Sequence, residues 1–436
     1  MPSPPPSRPA AAAGPPPAPE RRAPEPLGLR RSLGFGDRLG LATPGHIAAV
    51  RRFSIAPVFA QLSPRDLARA GTHPAHWIAR IARHVAEAHL PRAWGADAHG
   101  TKTEADIAAM AAADVSWFTL DPSAFVENRA DTLAPAALAE DLAALGKEGV
   151  LPADWIATHA AVPVELDGAS TLAPQPEALA RAAVKFARAL QHAQRLNRHV
   201  ASHTRHPAPD LELALVECAA PATAAEHLFI AIEARRRGLP LTALALRWHV
   251  GIEPGAEFLG DPSAFERDLR VHAAIARRFG PYKLSFHHGG DTLAILPVMA
   301  RVCGEHLHVK TAAATFLTAM RVVCRAAPDL FREIALFARH RFANERVPHL
   351  VSTTTGDVDR LFQAPAMGEL ESNFLDTPAG RQLLDTASAS ILQAGLTSRG
   401  RPFRDAVAEV LHTYRDEHHA LLDATFTRHL ELLNQG

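Results

Sequence analysis

From Ala56 onward, short apolar runs alternate with longer stretches in which apolar residues recur at helical spacing. The runs are Ala56–Ala60, Arg92–Asp97, Val115–Leu120, Leu211–Val216, Leu241–Trp248, Lys283–Phe286 and His306–Val309. Runs this short, with little polar alternation, read as strands of a parallel sheet buried on both faces. The stretches between them predict helices: Pro64–Leu90, with Trp77, Ile81 and Val85 on one stripe, then Glu104–Ala112, Glu177–His199, Ala224–Arg237, Pro262–Phe279 and Leu293–Val302. Asp261 is placed to cap one helix at its N-terminus, and Gly238 to end another. Helices Thr315–Arg325, Asp329–Arg346 and Phe403–Leu433 follow, and an eighth strand is expected at His349–Val351 or at Arg381–Asp385. Eight alternating units predict an α/β fold, a single TIM-like (β/α)8 barrel, with a doubly wound open sheet as the alternative, which would normally show a Gly-rich first turn. Residues Asn128–Ser170 interrupt the alternation, with one helix near Pro135–Leu145. Gly34, Gly36 and Gly40 lack the dinucleotide-loop spacing and read instead as a tight loop presenting Asp37 and Arg38.

Composition sets the limits of this domain. Residues 1–28 are rich in Pro and Ala with almost no large apolar side chain, and predict a disordered tail ahead of a barrel domain spanning 29–436. Lys plus Arg and Asp plus Glu number 46 each, so no net charge favours nucleic acid or an anionic membrane. No apolar run is long enough to span a bilayer, and no signal-peptide core opens the chain. Cys218, Cys303 and Cys324 are odd in number and lack a zinc-knuckle spacing, which fits a cytoplasmic protein.

The candidate chemistry lies at the strand ends. Gln61, Asp97, Asp121, Glu217, His249, His287 and His308 each close or nearly close an apolar run, and barrels build their sites at that end. His99 shares strand parity with Asp97, and Lys310 with His308, while Lys102 closes the loop after His99. Within Tyr282–Thr311 the cluster His287, His288, Asp291, His308 and Lys310 brings imidazoles, a carboxylate and an amine together, a donor set suited to zinc, nickel, manganese or iron. Glu217 follows an apolar run, where a carboxylate is more readily a ligand or an acid/base than a core residue.

Several strings carry a family resemblance: GFGDRLGLATPGH from Gly34, FAQLS, GADAH, WFTLDPS, EARRRG, LALRW, GDPSAFERD, KLSFHHGGD, HVKT, PDLFREI and RQLL. Together they make the chain resemble the tagaturonate/fructuronate epimerases, metal-dependent enzymes of uronate catabolism. The resemblance implies a divalent metal held by His287 and His308, an acid/base at Glu217, and further site residues among Asp37, Arg38, Asp97, Asp291 and Lys310. Gln61 and Lys102 join Asp37, Arg38 and Asp291 as candidate substrate contacts, and Asp97, His99 and Lys310 join Glu217 as candidate catalytic groups. The chain departs from the family in the site itself. Where the family has Gly-Ala-Asp-Ala-Asp-His, this sequence has Gly95-Ala96-Asp97-Ala98-His99-Gly100, so the third metal ligand is replaced, with His99 or Asp385 as substitutes.

The implied activity is a metal-dependent carbohydrate epimerase, an isomerase acting on a keto-uronate through retro-aldol and aldol steps. The alternatives are a class II-like aldolase or sugar isomerase, or a non-catalytic sugar-acid binding protein that has lost metal ligands. The expected partner is a small sugar acid or ketose, with no nucleic acid and no membrane; a homo-oligomer is compatible with this reading.

Overall fold

The computed structural model describes residues 22–435 except 70–71, 161–163, 167–169, 288–290, 348, 350 and 364–368. Eight parallel strands close into a barrel: β1 (Ser32–Gly34), β2 (Ala56–Leu62), β3 (Gly95–Thr101), β4 (Trp117–Leu120), β7 (Asp210–Leu215), β8 (Ala243–Leu246), β9 (Lys283–Phe286) and β10 (Leu307–Lys310). The ring closes where Ser32 of β1 pairs with His308 of β10 on one side and with Ala56 of β2 on the other. The remaining two strands, β5 (Val164–Leu166) and β6 (Ser170–Leu172), form a separate antiparallel pair within the excursion between β4 and β7.

The (β/α)8 expectation holds, with its eighth strand relocated. β1 lies in the glycine-rich stretch expected to be a loop, and its three residues are all buried. The glycines there answer to close packing. A Cβ on Gly34 would lie 2.5 Å from Gln61 Nε2, and one on Gly36 would lie 2.5 Å from Ala312 Cβ. Arg381–Asp385 belongs instead to the helix Pro378–Thr386, whose Thr377 cap and Pro at the first turn start a helix rather than a strand. His349 and Val351 lie outside any strand, and Leu350 lies outside the described residues. The helix expected over Phe403–Leu433 is two, Phe403–Thr413 and Arg415–Asn434, separated at Tyr414.

The N-terminal boundary also moves. Residues 1–21 of the expected tail lie outside the described residues, but Leu27 is buried, and the Leu27 and Gly28 amides donate to Asp210 at 2.5 and 2.9 Å. Leu27 joins Ala56, Val58, Trp117 and Ala243 in a small apolar cluster inside the barrel floor. The main core lies between barrel and helices, where the outward residues of β7 (Leu211, Leu213, Leu215) and of β10 (Leu307, Val309) pack. A second core is built by the helices after β10, from Phe316 to Leu411, and rests on Leu39 and Leu41 of the loop that follows β1.

Candidate functional site

Successive strand residues face opposite sides. β7 therefore turns Leu211, Leu213 and Leu215 to the helices and keeps Asp210 and Glu212 inside; β9 keeps Lys283 and Ser285 inside, and β10 keeps His308 and Lys310. Barrel interiors are usually filled by branched apolar side chains. This interior instead carries two polar layers.

In the floor layer, Lys283 Nζ donates to Ser32 Oγ at 3.0 Å and lies 4.3 Å from the Trp117 ring. Burial pushes the Lys283 ammonium down to about 8. His308 Nδ1 lies 2.9 Å from the same Ser32 hydroxyl, with its ring 4.7 Å from Trp117. Burial holds its imidazole well below the usual histidine range.

The layer above is organised around Lys310. Its ammonium donates to Asp97 Oδ2 at 2.9 Å, Thr119 Oγ1 at 3.0 Å and His99 Nδ1 at 3.1 Å, and lies 3.1 Å from Glu212 Oε1. Thr119 in turn donates to Asp97 Oδ1 at 2.8 Å. Burial disfavours the charged form of Asp97, but the Lys310 ammonium and His99 outweigh it and hold the carboxyl well below the usual range. His287 Nε2 lies 2.5 Å from Glu212 Oε1, and the His99 and His287 rings stand 5.1 Å apart. Asp97 and Glu212 are fully buried, while 35% of the His99 side chain is exposed, so this layer opens toward the mouth.

Two groups stand at the rim. Lys102 Nζ lies 2.9 Å from Asp121 and 3.8 Å from Glu217, whose Oε2 accepts from Ser123 Oγ at 3.1 Å. The Glu217 side chain is 59% exposed, so it belongs to the rim and not to the buried cluster. On the other side, Arg38 pairs with Asp385 at 2.9 Å, and Asp291 accepts from Arg381 at 2.5 Å and from the Gly255 amide at 3.2 Å. Burial raises the Asp291 carboxyl to about 6 against the pull of Arg381. Asp291 and Arg381 also line a cleft of about 350 Å³ with Arg321 and Asp376.

The structure thus gathers Asp97, His99, His287 and Lys310, and places Lys102 beside Glu217. Asp37 accepts from the amides of Leu39, Gly40 and Ala42 and so holds its own loop. Gln61 lies against Gly34 and Gly36, and both of its amide atoms are buried without a hydrogen-bond partner among the described residues. Asp385 is engaged by Arg38, and His288 lies outside the described residues. Glu212, Thr119 and Arg381 were not anticipated. The alternation Asp210-Leu211-Glu212-Leu213 was the available signal for Glu212, since it gives both carboxylates one parity.

Among the described residues, no three His, Cys, Asp or Glu side chains are gathered as they stand into a group that could hold a metal ion. The chemistry of individual donors fits one. Ligating imidazoles usually have their other nitrogen fixed by a hydroxyl, carboxylate or carbonyl. His308 has Ser32 at Nδ1 and His287 has Glu212 at Nε2. His308 Nε2 and Glu212 Oε2 are buried without a hydrogen-bond partner among the described residues. Gly100 has a positive φ of 69° and supplies no donor.

Comparison with known proteins gives one consistent answer. A family profile described as UxaE, tagaturonate epimerase, matches residues 20–433. A Thermotoga maritima protein described as a tagaturonate/fructuronate epimerase is 31% identical over 373 residues, covering 85% of this chain and 75% of that protein. The native crystal structure of fructuronate-tagaturonate epimerase UxaE from Cohnella laeviribosi superposes with a TM-score of 0.84 at 28% identity, over 94% of this chain and 83% of that one. A glycerol complex of the same enzyme gives 0.83 at 28% identity, with the same coverage.

Proposed function

The chain belongs to the tagaturonate epimerase family and is an epimerase-like enzyme, and on that premise we propose that it interconverts D-tagaturonate and D-fructuronate with a divalent metal, by retro-aldol cleavage and re-addition. The observation that carries this reading is the buried layer around Lys310, a cluster of charge and imidazole at the barrel mouth in a chain matched by the family over nearly its whole length.

The centre to be inverted lies two bonds from the ketone, so its C–H is not acidified and cannot simply be removed and replaced. Cleavage avoids that step. The carbinol oxygen loses its proton and becomes an aldehyde, and the electron pair of the C–C bond passes to the ketone as an enolate. Rotation of the aldehyde, bond formation on its other face and return of the proton complete the inversion. A divalent ion, held by His287 and His308, would supply Lewis-acid stabilisation of the ketone oxygen. Glu217 takes and returns the carbinol proton, a role favoured by its exposed position at the rim. Lys310, fixed by Asp97, Thr119 and Glu212, supplies a buried positive charge beside the developing negative one. Gln61, whose donor and acceptor are both unpartnered among the described residues, is suited to a substrate hydroxyl. Lys102 and Arg38 are the rim cations suited to a substrate carboxylate.

The test is to incubate purified protein with tagaturonate as isolated, after chelation, and after return of zinc, manganese, nickel or iron, and to identify the products. Fructuronate formation that is lost on chelation and restored by one of these ions is expected. Binding of a uronate without conversion under every condition would replace the epimerase with a sugar-acid binding protein.

A further inference from the structure

We propose that Glu212 is the positioning residue of this site, using one carboxylate oxygen to fix the His287 imidazole and the Lys310 ammonium in a single arrangement. The inference rests on the epimerase reading for its kinetic consequence, but its geometry stands alone. Glu212 Oε1 is 2.5 Å from His287 Nε2 and 3.1 Å from Lys310 Nζ. The three residues come from β7, β9 and β10, so the contact ties the wall of the barrel to the two strands that carry the chemistry.

A purely structural role explains Glu212 poorly. Lys310 already has a buried carboxylate in Asp97, at 2.9 Å, with Thr119 bonded to both. A second carboxylate gives one ammonium two fully buried anions, and buried charge is costly unless paired. The group that answers the second anion is His287, which donates Nε2–H to Glu212. Glu212 Oε2 is moreover buried without a hydrogen-bond partner among the described residues, a cost that a leucine or valine would avoid. Carboxylates in this relation to an imidazole set its tautomer and ring orientation. The His287 imidazole is then fixed at Nε2, and Lys310 is held from the Glu212 side as well as the Asp97 side.

Two readouts test this. An imidazole N–H donated to a buried carboxylate gives a downfield proton resonance. The wild type should show one that disappears in both Glu212→Gln and His287→Gln. Hydrogen-bond partners of metal-ligating imidazoles typically contribute about 10–100-fold to metal affinity or activity. With His287 in that role in the proposed function, kcat for tagaturonate should fall by roughly that factor in Glu212→Gln with KM changed far less. If Glu212→Gln does not fold, Glu212→Asp is one methylene too short to reach both partners and carries the same test. A resonance that survives in Glu212→Gln, or an active wild type whose kcat is unchanged by the substitution, overturns the proposal. A wild type that converts neither uronate overturns the epimerase reading instead, and the resonance still decides whether Glu212 holds His287.

Discussion

Replacing Lys310 with Met tests the charge balance on which the site rests. The substitution keeps an unbranched side chain as far as the Cε position and removes the ammonium. Asp97 and Glu212 then remain fully buried, having lost contacts of 2.9 and 3.1 Å. Breaking a buried ion pair by removing one partner typically costs about 3–5 kcal/mol, because the other charge stays behind without compensation. At about 2 °C per kcal/mol, the low end for large domains, the melting midpoint of Lys310→Met should fall by roughly 6–10 °C at pH 7. The second variant, Lys310→Met with Asp97→Asn, removes one of the two stranded carboxylates. It should therefore melt above Lys310→Met, with a non-additivity of about 0.5–3 kcal/mol in the double-mutant cycle. Circular dichroism melts of the four proteins are sufficient. A Lys310→Met protein that melts with the wild type, or strictly additive single effects, would refute the account of Lys310 as the internal cation.

Other positions give independent tests. Glu217→Gln should leave the melting midpoint unchanged, since the side chain is 59% exposed, while slowing epimerisation by about 10²–10⁴-fold; a loss under about threefold excludes it as the acid/base. His272 is buried against His227, with the two Nδ1 atoms 2.9 Å apart, and burial pushes its imidazole down to about 4 from 6.5. The native state keeps it neutral while the unfolded chain takes up a proton, so stability present above pH 6.5 is lost as pH falls toward 4, by about 3 kcal/mol for this residue. Urea midpoints of the wild type should fall across that window and those of His272→Phe should fall less; equal slopes would contradict this. Gly36→Ala puts a Cβ 2.5 Å from Ala312 Cβ and 2.8 Å from its Cα, and overpacking of this kind should cost about 1–3 kcal/mol in urea unfolding.

The barrel was legible because seven of its strands coincide with or overlap short apolar runs set between helical stretches, a pattern that burial on both faces imposes. β3 is the loosest fit, since the run Arg92–Asp97 overlaps only the start of Gly95–Thr101. β1 was hidden because it is three residues long and ends in a glycine needed for the approach of Gln61, so its sequence looks like a turn. The helix at Pro378–Thr386 was misread because Gln382, Leu383 and Leu384 are all buried there, which blurs the helical period. In the site, the ends of apolar runs and the family strings both point to Asp97, His287 and Lys310, which the structure brings close to one another. Glu212 follows no apolar run and is marked only by its shared parity with Asp210, while Glu217, which does follow one, is exposed at the rim. The pairings of Arg38 with Asp385 and Arg381 with Asp291 span long separations that no local pattern encodes.

The claim that the chain inverts its substrate by breaking and remaking a carbon–carbon bond is tested most directly by running the reaction in deuterium oxide and examining the product by proton NMR. Retro-aldol cleavage never removes the hydrogen on the inverted carbon, so fructuronate formed from tagaturonate should carry protium there at full intensity. Deuterium at that carbon would show deprotonation and reprotonation instead, and the mechanism proposed for this site would be wrong.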